Sequence, residues 1–160
     1  MKPSQRCVDL VKKYEGLRLK SYQCPAKIWT IGYGTTRWID ETPVKEGQEI
    51  SIEMAEKLLM NDLQKFANQI KLNVSQNQFD ALVSFCYNLG VGNFNNSTLK
   101  KKVIANPNDA SIKDEFLKWG KAKVNGVLKE LPGLMKRRLS ESNLYYDKNS
   151  ISTTIQGEMP

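Results

Sequence analysis

The chain has 160 residues, 40% of them hydrophobic, with 24 Lys+Arg against 17 Asp+Glu for a net charge of +7, and it contains no histidine. Those values suit one globular domain with a core of its own, and the positive balance favours a polyanionic partner: nucleic acid, anionic membrane or anionic cell wall. The missing histidine excludes Ser-His-Asp and Cys-His nucleophilic chemistry and nearly every catalytic zinc site, which leaves carboxylates, hydroxyls, thiols and backbone to carry any reaction.

Met1–Arg6 has no apolar stretch behind its charges, so no secretory signal is expected and synthesis is placed in a cytoplasm. Pro3-Ser4 opens a helix in which Cys7, Leu10, Val11 and Tyr14 share one face; Glu15 ends it and Gly16 stops it. Residues 17–40 change character. Lys27-Ile28-Trp29-Thr30-Ile31-Gly32-Tyr33-Gly34-Thr35 is rich in β-branched and aromatic side chains, with Pro25, Gly32 and Gly34 as punctuation, and predicts a small irregular antiparallel sheet. Ile28 and Thr30 fall on one face of it, and Trp29, Ile31 and Tyr33 on the other.

Helices dominate from Ser51 onward. Ala55, Leu58, Leu59, Phe66 and Ile70 predict a long helix over about 51–71, a connector between two lobes. Ser75 with Gln78 forms a capping box ahead of Phe79, Leu82, Val83 and Cys86, and Gly90 and Gly92 end that helix. Shorter helices are expected near 97–105 and 110–119. Leu131-Pro132 starts a last one, with Leu134, Met135, Leu139 and Leu144 as its apolar side, and 148–160 is expected to be a flexible tail. The three cysteines, Cys7, Cys24 and Cys86, are too few and odd in number for a disulfide framework, and Cys7 and Cys86 fall on apolar helix positions.

The segment that suggests chemistry is Tyr14-Glu15-Gly16-Leu17-Arg18-Leu19-Lys20-Ser21-Tyr22, followed by the Trp29–Gly34 strand. A carboxyl group at a helix end with a hairpin opposite it suits glycoside cleavage, which needs a proton for the leaving oxygen and a placed water at the anomeric carbon. Leu17, Leu19, Tyr22 and Trp29 are available as apolar cover, and the Thr30 hydroxyl as an anchor for water. The bland alternatives are an ion pair between Glu15 and Arg18 and a threonine that merely favours strand.

Glu15-Gly16-Leu17-Arg18-Leu19-Lys20 with Thr30-Ile31-Gly32-Tyr33-Gly34 resembles the active-site signature of phage-type lysozymes, glycoside hydrolase family 24. Tyr87-Asn88-Leu89-Gly90 with Asn93-Phe94, Phe116-Leu117-Lys118-Trp119 and Gly133–Arg138 resemble further parts of that family, so the likeness covers roughly residues 5–146. The resemblance implies an α+β lysozyme-like fold, with a small N-terminal lobe bearing a short antiparallel sheet and a larger helical C-terminal lobe. Its domain is 1–147: small lobe about 15–50, connecting helix about 51–71, and helical lobe about 72–147 together with the N-terminal helix.

The resemblance also implies an endolysin that hydrolyses the β-1,4 bond between N-acetylmuramic acid and N-acetylglucosamine in peptidoglycan, with inversion. The acid is Glu15; a residue nine positions on and a Thr fifteen positions on, Cys24 and Thr30, place the attacking water across a cleft. Tyr87 and Asn88 are candidate substrate-binding residues, with core packing an equal reading for Tyr87. The family usually has Asp where Cys24 stands and His after the second glycine, where this chain has Thr35-Thr36. Cys24 is either a water-orienting group, made more acidic by Arg18, Lys20 or Lys27, or a small apolar filler. No metal or cofactor is implied. The implied partners are peptidoglycan glycan strands and a separate membrane-pore protein that admits a monomeric enzyme to the wall; no nucleic-acid motif is present.

Between 118 and 138 stand Lys118, Lys121, Lys123, Lys129, Lys136, Arg137 and Arg138 against Glu130 alone, a net +6. This segment is either a contact for anionic envelope or a solvated helix face over a core.

Overall fold

The computed structural model describes residues 1–148, and the tail expected over 148–160 lies, but for Lys148, outside them. Two compact units divide between Lys71 and Leu72.

The first unit begins with α1 (Gln5–Glu15), which the family resemblance groups with the helical lobe. The Ser4 side chain caps it by accepting from the Arg6 amide, and Cys7, Val8 and Val11 are buried. Strands β1 (Arg18–Gln23) and β2 (Trp29–Gly32) pair antiparallel, Tyr22 opposite Thr30 and Arg18 opposite Gly32. The register slips between these pairs because Leu19 and Ser21 turn their backbone groups toward Ile50 and Gln48, at 2.9 Å each. The hairpin packs on α2 (Ile52–Ala67), where Ile31, Val44 and Leu58 form a core with Trp29, Trp38 and Ile50 against it. The predicted helix over 51–71 ends early, at Ala67. The Ile70 amide bonds the Ala67 carbonyl three residues back, so the last turn tightens out of α-helix, and Ile70 is buried from beyond the helix end.

The second unit is built around α3 (Gln76–Leu89), whose residues Asn77 to Cys86 are all buried. The Ser75–Gln78 capping box forms as the sequence predicts. Gly90 ends α3, but Gly92 lies inside the next short helix, α4 (Val91–Asn95), and does not act as a stop. Helices α5 (Thr98–Ala105) and α6 (Ile112–Leu117) follow, then a 3-10 turn at Lys118–Gly120. The Phe85 ring meets Phe94, Phe116 and Trp119 edge to face at 5.6–6.1 Å between centroids.

Two expectations for the C-terminal region are corrected. Residues 121–130 carry no helix face; they form a hairpin of β3 (Lys121–Val124) and β4 (Val127–Glu130). Asn125 and Gly126 both have positive φ, 52° and 79°, as a two-residue turn with the right-handed strand twist requires. Second, of the apolar side expected for α7 (Pro132–Tyr146), Leu144 is buried and Leu134 and Met135 are half-buried, but Leu139 is not. Leu139 is 41% exposed, while Arg137, Arg138, Glu141, Ser142, Leu144 and Tyr145 are buried. The Glu141 carboxylate accepts from Ser84 at 2.6 Å and pairs with the Nε of Arg137 at 3.3 Å and of Arg138 at 2.8 Å. The helix thus buries charge as a network of two guanidinium groups on one carboxylate, and two of the seven cations of 118–138 are withdrawn from the surface.

Candidate active site

Glu15 is the last residue of α1 and is half-buried. The helix is tied to α2 by an ion pair of Lys12 with Glu56 at 3.0 Å. The chain then leaves the helix through Gly16, whose φ of 73° disfavours any residue with a Cβ, and enters β1 two residues later. The carboxyl group is therefore set at the junction of a rigid helix and the hairpin.

Cys24 and Thr30 are brought together by the hairpin itself. The Cys24 carbonyl accepts from the Lys27 amide at 2.7 Å, the Cys24 amide donates to the Ile28 carbonyl at 3.0 Å, and Lys27 has a φ of 63°. This is a three-residue hairpin loop, Pro25-Ala26-Lys27, with Pro25 at the position where a fixed φ is favoured and Lys27 in the left-handed region. It puts Ile28 across from Cys24, and Tyr22 across from Thr30, so the Cys24 and Thr30 side chains are diagonal neighbours on one face. Thr30 is buried and its hydroxyl donates to the Ile28 carbonyl at 2.9 Å; Cys24 is half-buried.

The Cys24 thiol is shifted below its ordinary range, and the cause differs from the sequence expectation. The Ile28 amide facing the sulfur is the largest influence; the Ala26 and Cys24 amides act in the same direction, and partial desolvation opposes them. None of the three cations named from the sequence is the cause. Arg18 is occupied over the Tyr22 ring, 4.3 Å from its centroid. Backbone donors aimed at Cys24 were legible only through the Cys-Pro-Ala-Lys loop, whose proline marks the turn.

The apolar cover named for Glu15 divides. Leu17 and Leu19 are exposed, Tyr22 is half-buried under Arg18, and Trp29 packs against the core of the first unit. Thr35 is buried and donates to the Asp62 carboxylate on α2 at 2.7 Å. Among the described residues, no group of three cysteine and acidic side chains is placed to hold a metal ion.

Tyr87 and Asn88 lie in the last turn of α3, in the second unit, both half-buried. Arg138 donates to the Asn88 Oδ1 at 2.8 Å, which fixes the amide with its NH2 group turned away from the guanidinium. Arg138 has no role in the sequence-derived site. Its signal was a pair of arginines set three and four residues before Glu141 on one helix.

The family model for phage lysozyme matches residues 12–141. The chain is 45% identical over 147 residues to the endolysin of Acyrthosiphon pisum secondary endosymbiont phage 1, covering 89% of this chain and 96% of that protein. It is 40% identical to the endolysin of Bacillus phage B103, all of this chain aligning with 60% of that longer protein. Among solved structures it is similar to the endolysin from Escherichia coli O157:H7 phage FAHEc1, with a TM-score of 0.81 at 40% identity, covering 92% of this chain and 94% of the other.

Proposed function

Because this chain belongs to the phage lysozyme family and is a peptidoglycan-hydrolysing enzyme of the endolysin kind, we propose that it cleaves the β-1,4 bond between N-acetylmuramic acid and N-acetylglucosamine with Glu15 as proton donor. The observation that carries this reading is the pairing of Cys24 and Thr30 on one hairpin face, downstream of a carboxyl group set at a helix end.

The Thr30 hydroxyl spends its proton on the Ile28 carbonyl, so its oxygen is left to accept. A water that donates one hydrogen to Thr30 Oγ1 and the other to the Cys24 sulfur has its lone pair turned outward, toward the anomeric carbon. In the reaction the water oxygen forms the new bond to that carbon and the glycosidic C–O bond breaks. Glu15 delivers its proton to the leaving oxygen, and the Cys24 sulfur, biased toward thiolate by the Ile28 amide, takes the proton released by the water. Attack from the face opposite the leaving group inverts the anomeric centre. Asn88, with its amide oriented by Arg138, offers an NH2 donor to the acetamido or hydroxyl oxygens of the glycan. In the same reading the enzyme acts as a monomer and reaches the wall through a lesion opened by a separate membrane protein.

The deciding experiment is the release of reducing ends from purified peptidoglycan by the wild-type chain and by Glu15→Gln. The substitution keeps the shape and removes the proton, so the rate is expected to fall by roughly 10²–10⁴-fold. Comparable activity in both sinks Glu15 as the acid. Anhydro-muramic ends in place of reducing ends would identify a transglycosylase, which takes no water.

A further inference from the structure

With Arg137 and Arg138 in the interior, three of the five remaining cations of 118–138 stand on the hairpin of β3 and β4. All four residues of β4 are exposed, with Val127 and Leu128 at 57% and 61%. The pairs run from the turn outward as Val124 with Val127, Lys123 with Leu128, Ala122 with Lys129 and Lys121 with Glu130. Only the pair next to Asn125-Gly126, Val124 with Val127, is wholly apolar; the first cation, Lys123, stands opposite Leu128, and Lys129 and Lys121 follow behind. Lys121, Lys123 and Lys129 are all exposed and Glu130 is the hairpin's one acid.

We infer that this hairpin is an interfacial docking element for an anionic phospholipid surface, with its Val127–Leu128 end entering the headgroup region and its lysines held at the phosphates. The spacing fits that partner. At about 3.4 Å per residue, Lys129 stands roughly 7 Å behind Val127, within the ~5–10 Å to which interfacial elements bury their apolar part. The exposed pair also separates lipid from other polyanions. A soluble phosphate polymer has no use for a valine and a leucine turned to solvent, whereas an acyl boundary takes them from water. The +7 net charge adds attraction at longer range.

The test is flotation of the full-length protein with vesicles of phosphatidylcholine containing a quarter phosphatidylglycerol, and with phosphatidylcholine alone, at 100 mM salt. The expected result is binding to the anionic vesicles only, at least tenfold weaker for the double variant Val127→Ser with Leu128→Ser and unchanged for Leu139→Ser, which alters an exposed leucine on α7. Glu15→Gln is run beside them and is expected to bind as wild type, so failure of the catalytic reading and failure of this one are distinguishable. The double variant is also checked for glycan release, which is expected to stay at the wild-type level and so reports correct folding. Absence of binding to anionic vesicles overturns the inference. So does equal binding by the double variant, or binding to soluble poly(glycerol phosphate) as tight as to vesicles.

Discussion

The Thr30 hydroxyl donates to the Ile28 carbonyl oxygen at 2.9 Å, two residues back along the chain. That bond locks the rotamer of a buried side chain and determines which way its lone pairs face. Thr30→Val keeps the shape and removes one of the two donors to the Ile28 carbonyl, which still accepts from the Cys24 amide, at a cost of about 0.5–1.5 kcal/mol. Activity should fall far more than that modest loss of stability explains, by roughly 10²-fold, because the water loses an acceptor. Thr30→Ser keeps the hydroxyl and should stay within about tenfold of wild type. Rates of glycan release measured well below each variant's melting temperature separate the two effects; a valine variant with wild-type rate sinks the water-binding role.

The three cysteines should differ sharply in reactivity. Cys24 is half-buried with a pKa lowered by the Ile28 amide, Cys7 is buried, and burial pushes the Cys86 thiol up to about 12. Alkylation with iodoacetamide at neutral pH should therefore give one adduct on the native protein, at Cys24, and three only after unfolding. Lytic activity should fall in step with that single adduct, and Cys24→Ala should be untouched by the reagent. Peptide mass mapping reads the sites. Early labelling of Cys86 would contradict the packing of α3.

Local signals carried the sequence reading well where one short segment decides the outcome. The Ser4 cap, the Glu15-Gly16 helix end and the Ser75–Gln78 capping box all depend on residues a few positions apart, and all form. Asn125-Gly126 between valines is an equally local hairpin signal. The side buried by α7 was not legible, because an apolar-periodicity argument has no way to assign Arg137, Arg138 and Glu141 to an interior. Their burial depends on Ser84, more than fifty residues away in the chain, which supplies a bond to the carboxylate. At the site, the residue types of Glu15, Cys24 and Thr30 were legible, but the donors that act on Cys24 are backbone amides and leave no trace in side-chain chemistry.

Asp62 offers a pH test of folding. Burial raises its pKa, more than the Thr35 hydrogen bond and the nearby Lys65 charge lower it, and Glu41 adds to the rise. A carboxyl group whose folded pKa lies above its unfolded value binds its proton more tightly when folded. Its contribution to stability is thus fully present at low pH and is lost as pH rises from the unfolded to the folded pKa. Asp62→Asn removes the ionisation while its amide oxygen still accepts from Thr35. The urea midpoint of this variant should exceed wild type at pH 7, with the advantage shrinking as pH falls through the carboxylate range. A variant less stable than wild type at pH 7 would mean that the ionised form is the one the fold favours.

The Glu141 network should be the costliest place to remove a single group. Its carboxylate is fully buried and serves Ser84, Arg137 and Arg138 together. Glu141→Gln keeps the volume but leaves two guanidinium groups buried with no countercharge from that side chain, for an expected loss of about 3–5 kcal/mol. Replacing all three charged members by apolar residues of similar size should cost much less, because no buried charge is then left uncompensated. The triple variant should still lose activity, since Arg138 no longer holds the Asn88 amide in one orientation. Chemical denaturation of the single and triple variants, with glycan release measured in parallel, checks both halves. A single variant within 1 kcal/mol of wild type would mean that the arginines find other partners once the carboxylate is gone.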